Sequence, residues 1–361
     1  MAIQRIGVVG CGNISGIYFK NLTGIFGKRV KVTGLTDLIP ERAEKAGEEY
    51  KIPYVKKTED LINSSDVDIV LNLTEPYNHY GVALAAVKAG KHLYDEKPLC
   101  AERGEAQEIL KIAREKNLRV GGSPDTFLGA GIQTCRKLID DGWIGKPVAA
   151  AAFMVNHGHE HWHPGPEFYY KKAGGPMFDM GGYYLHALIN LMGPVTRVSG
   201  TAKKSFETRT ITSEPLNGKV ITVDVPTHIA GTLDFANGAV ASLIMTFDVY
   251  SHSLPNIEIY GSEGSLRVPD PNTFGGPVLV RRFRDENWSE IPLLREYREN
   301  SRGLGITDMA EAINEGRPHR VSAELAYHAL DVMHGIHDAS ASGSYYNVKS
   351  TCSRPEPFAG F

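Results

Sequence analysis

The chain has few of the features that mark metal-ribbon, disulfide-rich or nucleic-acid-binding proteins. Only four of its 361 residues are cysteines, at positions 11, 100, 135 and 352, and none forms a Cys-x-x-Cys pair. This usage argues against a zinc ribbon or a disulfide framework and favours a reducing compartment. The net charge is −3 without a basic block, so nucleic acid and anionic membranes are not expected partners. A small-molecule partner is therefore expected.

Long apolar runs are also missing. No run approaches the about 20 residues that a transmembrane helix needs. The stretch from Met1 to Val9 is broken early by glycine and does not look like a secretory signal. We therefore expect a cytoplasmic protein that makes no membrane contact. The length favours two domains.

The apolar pattern changes character along the chain. Short apolar runs at 6–9, 30–36, 69–73, 92–95 and 118–121 alternate with helix-like segments, which is typical of βαβ units. Beyond Gly121-Gly122-Ser123-Pro124 strands dominate, and Asn237-Gly238 indicates a hairpin. We predict an α/β fold: a doubly wound parallel sheet over 1–123, then an α+β domain with a large, mostly antiparallel open sheet over 124–345. Residues 346–361 are predicted to form a loosely ordered tail, and the last helices are free to pack on either domain.

A glycine-rich turn, Gly10-Cys11-Gly12-Asn13-Ile14-Ser15, follows the first expected strand. Gly10 permits the tight turn, and Gly12 lets the backbone approach a pyrophosphate at a helix N-terminus that Asn13 and Ile14 open. Asp37 ends the second strand, 22 residues after Ser15, where a carboxylate accepts ribose hydroxyls and repels a 2′-phosphate. The pattern predicts a Rossmann domain that binds NAD rather than NADP. A turn-capping role for Asp37 is the alternative.

Polar residues follow the next two strands at the edge where ligands bind in open parallel sheets. Thr74, Pro76 and His79 are expected near the nicotinamide ribose, although His79 is alternatively an ordinary polar residue in a first helical turn. Glu96-Lys97-Pro98 ends the following strand, and the proline biases Lys97 away from helix. A lysine held there can pass a proton while a hydride leaves the neighbouring carbon. The alternative for Lys97 is a plain surface position.

A second group of candidate residues lies in the segment 174–186. A helix is expected over 183–192, and if it extends back one turn, Asp179, Tyr183 and His186 share one face. An acid, a phenol and an imidazole suit a polyol, because each can hydrogen-bond a hydroxyl. The alternatives are that Asp179 merely caps the helix and that His186 packs.

Four histidines alternate along 157–163, and an extended backbone would project all of them to one side. The segment lacks the carboxylate-plus-histidine helical pattern of zinc enzymes, so we predict no metal. We expect it to cover the substrate mouth, with Trp162 or Tyr169 against a sugar ring and histidines such as His161 on its hydroxyls.

These motifs together resemble the Gfo/Idh/MocA family of glucose–fructose oxidoreductase and inositol dehydrogenase. The resemblance covers nearly the whole chain, and its carriers are Gly10-Cys11-Gly12-Asn13, Ala89-Gly90-Lys91-His92, Glu96-Lys97-Pro98 and the segment 175–186. It implies a lysine near the hydride-transfer centre, which matches Lys97, and an open sheet that often supports oligomers. Many members carry Asp-x-Gly-x-His, but here Tyr183 stands where that histidine is expected. Whether Tyr183, Lys97 or both exchange the proton therefore stays open.

The sequence thus predicts an NAD-dependent oxidoreductase. Hydride would pass between nicotinamide and a secondary hydroxyl, with C3 favoured, of a sugar, sugar derivative or glycoside. Lys97 and Tyr183 would exchange the proton, and Asp179 and His186 would orient the substrate. A homo-oligomer, dimer or tetramer through the C-terminal sheet, is expected. The alternatives are a glycosidase that oxidises its sugar transiently with a retained NAD, and a non-catalytic NAD-binding regulator.

Overall fold

The computed structural model describes residues 3–361, which fold into two compact units. One unit holds the chain up to residue 128 together with 300–327, and the other holds 129–299 and 328–361. This division differs from the predicted boundaries at 123 and 345, since the chain returns to the first unit late. The return has a physical basis in backbone pairing, because the Gly122 N–H donates to the Val321 carbonyl and His319 Nε2 lies 3.0 Å from the Val120 carbonyl oxygen.

The elements follow one another as βαβ units first and as a strand-rich series afterwards. The helices are α1 (Ser15–Thr23), α2 (Pro40–Tyr50), α3 (Thr58–Asn63), α4 (His79–Lys88), α5 (Arg103–Glu115), α6 (Ala130–Asp140), α7 (Gly175–Met192), α8 (Leu304–Glu315) and α9 (Ala323–Ser342). The strands are β1 (Gln4–Val9), β2 (Val30–Thr36), β3 (Ile69–Asn72), β4 (His92–Asp95), β5 (Val120–Gly122), β6 (Pro147–Val155), β7 (Val195–Lys203), β8 (Thr208–Thr210), β9 (Val220–Thr222), β10 (His228–Phe235), β11 (Val240–Thr246), β12 (Ile257–Gly261), β13 (Gly264–Val268), β14 (Val278–Arg282), β15 (Ser289–Ile291) and β16 (Tyr346–Asn347).

The first unit is built on a five-stranded parallel sheet in the order β2-β1-β3-β4-β5. Its central strand β3 is buried at all four positions, as expected for a strand covered on both faces, and this explains its apolar run Ile69-Val70-Leu71. The progression of strands reverses between β1 and β3, and ligands of such sheets bind at the carboxyl ends of the strands at that point. The predicted doubly wound sheet is confirmed, and it places the glycine turn after β1 beside the loop after β3.

The second unit is built on a nine-stranded sheet in the order β15-β14-β13-β12-β6-β11-β10-β7-β16. Every pair is antiparallel except β6 with β11. Along β6 the fully buried positions alternate with half-buried ones, as expected for a sheet with one helix-covered face. Helices α6 and α7 pack on this sheet. The predicted, mostly antiparallel sheet is confirmed.

Two features of the second unit differ from the sequence-based expectation. The tail beyond residue 345 is packed rather than loose, because Phe358 is 2% exposed and its N–H donates to Gln133 Oε1 at 2.8 Å. Helix α7 begins at Gly175, eight residues before the expected start at Tyr183. Because glycine is unfavourable inside a helix, Gly181 and Gly182 weaken the helical signal in this first half of the segment. Within residues 3–361, no helix is long and apolar enough to cross a membrane.

Candidate active site

The glycine turn after β1 is shaped by one glycine and left open by the other. Gly10 has φ +103°, and a Cβ on it would lie 2.7 Å from the Leu73 carbonyl carbon, so only glycine fits. At Gly12 an added Cβ would meet no protein atom within 4 Å. Helix α1 starts just beyond, with exposed Asn13 and half-buried Ile14 at its entry. The open space over Gly12 at a helix N-terminus fits the pyrophosphate of a dinucleotide.

Asp37 ties the glycine turn to the end of β2. Its Oδ2 accepts the Cys11 N–H at 2.6 Å, and its Oδ1 accepts the Ile39 N–H at 2.8 Å. The capping role considered from the sequence is therefore present. A carboxylate has about four acceptor positions, so these two bonds leave capacity for ribose hydroxyls. The same residue can hold the turn and bind the cofactor.

Replacing Gly12 by alanine is expected to weaken NADH binding by about tenfold or more while leaving the thermal midpoint unchanged. The methyl group meets no protein atom but fills the space through which the phosphate oxygens reach backbone N–H groups, and one lost charge-assisted bond is worth about 1.5–3 kcal/mol. Titration of NADH fluorescence measures the affinity. Gly104→Ala is the control, because its Cβ also points into open space, on helix α5. Equal NADH affinity in both variants would remove the pyrophosphate from this turn.

The backbone on both sides of Lys97 is anchored in the interior of the first unit. Glu96 is 8% exposed, and its Oε1 accepts the Tyr18 hydroxyl at 2.6 Å while its Oε2 accepts the Lys97 N–H at 2.9 Å. Burial and the neighbouring Glu96 raise the pKa of Tyr18, so the phenol stays a donor. On the other side, the Pro98 carbonyl lies 2.7 Å from His79 Nδ1. Lys97 itself is half-buried at the carboxyl end of β4. It occupies a fixed strand end rather than a mobile surface.

His79 supports the loops instead of facing a cofactor. The ring is fully buried, with Nδ1 at the Pro98 carbonyl and Nε2 2.9 Å from the Thr74 carbonyl. Burial lowers the pKa of His79, and the neutral ring donates to only one of these carbonyls at a time. The position thus differs from the expected cofactor contact, because both ring nitrogens are taken by the backbone. Thr74 and Pro76, by contrast, are half-buried at the end of β3.

Helix α7 carries the second group of candidate residues. It begins at Gly175, so Asp179 lies inside the helix and is not its N-cap. Asp179, Tyr183 and His186 therefore share one helical face, as the spacing predicts. Tyr183 is 6% and His186 2% exposed. His186 Nδ1 lies 2.8 Å from the Gly182 carbonyl, and burial lowers the pKa of the ring to about 4. The histidine is neutral and packed, and its contact with a sugar stays a prediction.

The partner of Asp179 is a histidine that the sequence interpretation did not single out. His159 Nε2 lies 3.0 Å from Asp179 Oδ2, and both side chains are 10% exposed. Three aromatic rings pack on the imidazole: the centroid of the Tyr169 ring lies 4.0 Å from its centroid, and Trp162 and Phe247 meet it edge-on. The structure thus brings Trp162 and Tyr169 to the acid–imidazole pair. Nothing in the sequence distinguishes His159 from the three neighbouring histidines.

The four histidines of 157–163 do not face one side, because the segment is a turn and not the extended backbone that would align them. Gly158 has φ +85°, and the His163 N–H donates to the His159 carbonyl at 3.0 Å, which makes a turn rather than a strand. His157 stacks on Tyr250 with centroids 3.5 Å apart, while His161 is exposed. Within residues 3–361 no group of three or more His, Cys, Asp or Glu side chains is arranged to hold a metal ion.

A buried ion network fixes this turn. Arg209 Nη1 lies 3.0 Å from Glu160 Oε1 and Nη2 contacts Asp248 Oδ1, and all three side chains are less than 10% exposed. The Tyr170 hydroxyl donates to the other oxygen of Glu160. The Glu160 carbonyl accepts the N–H groups of Thr212 and Ser213 at 2.9 Å each. The residue after His159 is therefore held through both its side chain and its backbone, which orients the imidazole.

The fold and the glycine turn define the first unit as a dinucleotide-binding domain of Rossmann type. Residues 4–122 match the oxidoreductase family described by its NAD-binding Rossmann fold, and residues 132–267 match the GFO/IDH/MocA C-terminal domain. The chain belongs to the Gfo/Idh/MocA oxidoreductase family, and its first domain binds NAD. The suspected resemblance is confirmed.

Named relatives include polyol and sugar dehydrogenases. An inositol 2-dehydrogenase/D-chiro-inositol 3-dehydrogenase of Lactiplantibacillus plantarum is 30% identical over 40% of this chain and 42% of its own length. A D-xylose dehydrogenase of Paenarthrobacter nicotinovorans is 23% identical over 73% of this chain and 72% of its own. Among solved structures, levoglucosan dehydrogenase with NADH and L-sorbose has a TM-score of 0.83 at 20% identity, covering 96% of this chain and 99% of that one. The chain thus matches less than half of the first enzyme's length, and the structural likeness shows the fold.

Proposed function

We propose that the protein is an NAD-dependent dehydrogenase that transfers hydride between nicotinamide and a secondary hydroxyl of a sugar, sugar derivative or glycoside. The observation that carries this proposal is the Asp179–His159 pair, with Trp162 and Tyr169 packed on the imidazole, in a chain whose other unit binds NAD. A carboxylate and an imidazole hydrogen-bond hydroxyls, and aromatic rings cover the apolar face of a sugar. The arrangement therefore suits a polyhydroxylated ring.

NAD, when bound, supplies a hydride acceptor at its nicotinamide ring. Gly10, Gly12 and Asp37 hold the cofactor, and Asp37 favours NAD because its carboxylate repels a 2′-phosphate. Lys97 and Tyr183 exchange the hydroxyl proton, as the motif positions suggest. Asp179 accepts a hydrogen bond from the sugar, and His161 on the exposed part of the turn reaches a further hydroxyl.

The relatives support the substrate class, since their names specify inositol, D-xylose and levoglucosan. We favour oxidation at C3 of a glycoside, with the His- and aromatic-rich segment 157–170 contacting a substrate larger than a free monosaccharide. We also propose that the protein is cytoplasmic and that it forms a homo-oligomer through the sheet of the second unit. The half-buried alternate positions of β6, which include Ala149, Ala151 and Phe153, support that interface.

A screen of inositols, pentoses, hexoses and alkyl or aryl glycosides with NAD and NADP tests the function. We expect substrate-dependent NADH formation, a preference for NAD, and a keto product at a secondary carbon located by NMR after borodeuteride reduction. Aglycone release without net NADH formation would identify a glycosidase that recycles its NAD. Tight NADH binding without turnover on any substrate of the panel would identify a nucleotide-binding regulator. Either of these outcomes contradicts the proposed dehydrogenase.

A further inference from the structure

We propose that His159, paired with Asp179, is the base that takes the hydroxyl proton during sugar oxidation. This rests on the proposed dehydrogenase function and refines it. His159 replaces Lys97 and Tyr183 as the group that accepts the proton, and those two side chains become hydrogen-bond donors to the developing alkoxide. Neither the helical motif nor the names of the relatives assign a role to His159. The evidence is the 3.0 Å contact of its Nε2 with Asp179 Oδ2, with both side chains 10% exposed. If Nε2–H donates to the carboxylate, Nδ1 is the ring atom that accepts a proton.

The chemistry of the available groups favours an imidazole over the phenol of Tyr183. A tyrosine ordinarily ionises near pH 10 and a histidine near pH 6.5, so at neutral pH an imidazole accepts a proton far more readily. A lysine ammonium, with an ordinary pKa near 10.4, is mostly protonated there and serves best as a donor to the developing alkoxide. His159 thus supplies the imidazole that helix α7 lacks at position 183, where this chain has a tyrosine.

The step is balanced in atoms and charge. The C–H bond breaks and its hydride goes to the nicotinamide, while the O–H bond breaks and its proton goes to Nδ1 of His159. The C=O bond of the keto sugar forms from the remaining electrons. Asp179 stabilises the imidazolium without taking the proton, and bulk water collects it afterwards.

Other titratable groups lie near the His159 ring, and their contribution to the pH profile has to be distinguished from that of His159. Helix α7 contributes Asp179, and the turn itself contributes His163, whose pKa is lowered mainly by burial and further by His159. The phenol ring of Tyr169 packs on the imidazole, and the Tyr170 hydroxyl lies 3.4 Å from the His159 backbone nitrogen. Phe247 and Trp162 contribute uncharged rings. Asp179 is therefore the anionic group in direct contact with the imidazole in the described part of this unit.

The test is the pH profile of sugar oxidation in His159→Gln. We expect kcat to fall by about 10²–10⁴-fold and the acid limb of the wild-type profile to disappear, with NADH affinity unchanged. Imidazole added to His159→Ala should restore part of the turnover. Asp179→Asn should also lower kcat, because the imidazolium formed in the reaction loses its carboxylate partner. His163→Gln should keep the limb, and exposed His252→Gln should keep full activity.

The outcomes separate this inference from the proposed function. If the wild type oxidises a sugar but His159→Gln retains both its rate and its acid limb, His159 is not the base and the dehydrogenase stands. If the wild type oxidises none of the panel, the proposed function itself fails. Loss of activity in His159→Ala without rescue, together with lost NADH binding or a lowered thermal midpoint, would show a structural role and overturn the inference.

Discussion

Lys97→Ala is expected to lower kcat for sugar oxidation by about 10²–10³-fold, the usual loss when a positioned donor to a developing oxyanion is removed. NADH affinity should change little, because we assign the main cofactor contacts to the glycine turn and Asp37. The backbone around position 97 is fixed by Glu96 and His79, so truncating the side chain leaves the loop in place. Steady-state kinetics with the best sugar of the screen and NADH fluorescence titration measure the two quantities.

Two variants make this result interpretable. Lys111→Ala removes an exposed lysine from helix α5 and is expected to keep full turnover. Lys97→Arg keeps a cation with a different shape and a higher ordinary pKa, so partial recovery would indicate that positive charge near the alkoxide is what matters. A Lys97→Ala enzyme within twofold of the wild-type kcat would exclude the lysine from the chemistry.

The fold of the first unit follows from the sequence because its signals are local. Strand β3 contains the apolar run Ile69-Val70-Leu71, and helix α5 shows the buried spacing of Ala106, Ile109 and Leu110. The return of 300–327 to this unit leaves no such signal, since it depends on pairing of Val321 with a strand edge about 200 residues earlier in the chain. The packing of the tail after residue 345 was not predicted for the same reason. Its Ser, Gly and Pro residues indicate local flexibility, but they do not indicate the long-range packing of Phe358.

The residues of the candidate site also differ in whether local sequence signals predict them. The glycine turn, Asp37 and Lys97 lie at strand ends, so motif spacing alone locates them. His79 sits beside them in sequence, yet its ring turns inward to two carbonyls, a choice that depends on where Pro98 comes to lie. His159 became identifiable only through Asp179, 20 residues away in another element. A histidine's neighbours in sequence do not reveal which carboxylate it will meet.

Arg209→Met is expected to lower the free energy of unfolding of the second unit by about 3–5 kcal/mol. The substitution keeps most of the side-chain volume but leaves Glu160 and Asp248 buried without their cation. Because the same glutamate holds the turn that carries His159, kcat should also fall. The stability deficit should shrink as the pH is lowered, since uncompensated buried carboxylates take up protons in the folded variant before they do so in the unfolded chain. Urea unfolding followed by circular dichroism at several pH values measures the effect.

The control for this prediction is an arginine of the same unit in an exposed ion pair. Arg197 lies 2.6 Å from Asp234 with 49% of its side chain exposed, so Arg197→Met should cost less than about 1 kcal/mol. The comparison isolates burial, because both variants remove one guanidinium beside a carboxylate. If the two variants unfold at the same urea concentration, the network around Arg209 is solvated and contributes little. Its proposed part in holding His159 against Asp179 would then fail, since a weak tether cannot fix the geometry that proton transfer requires.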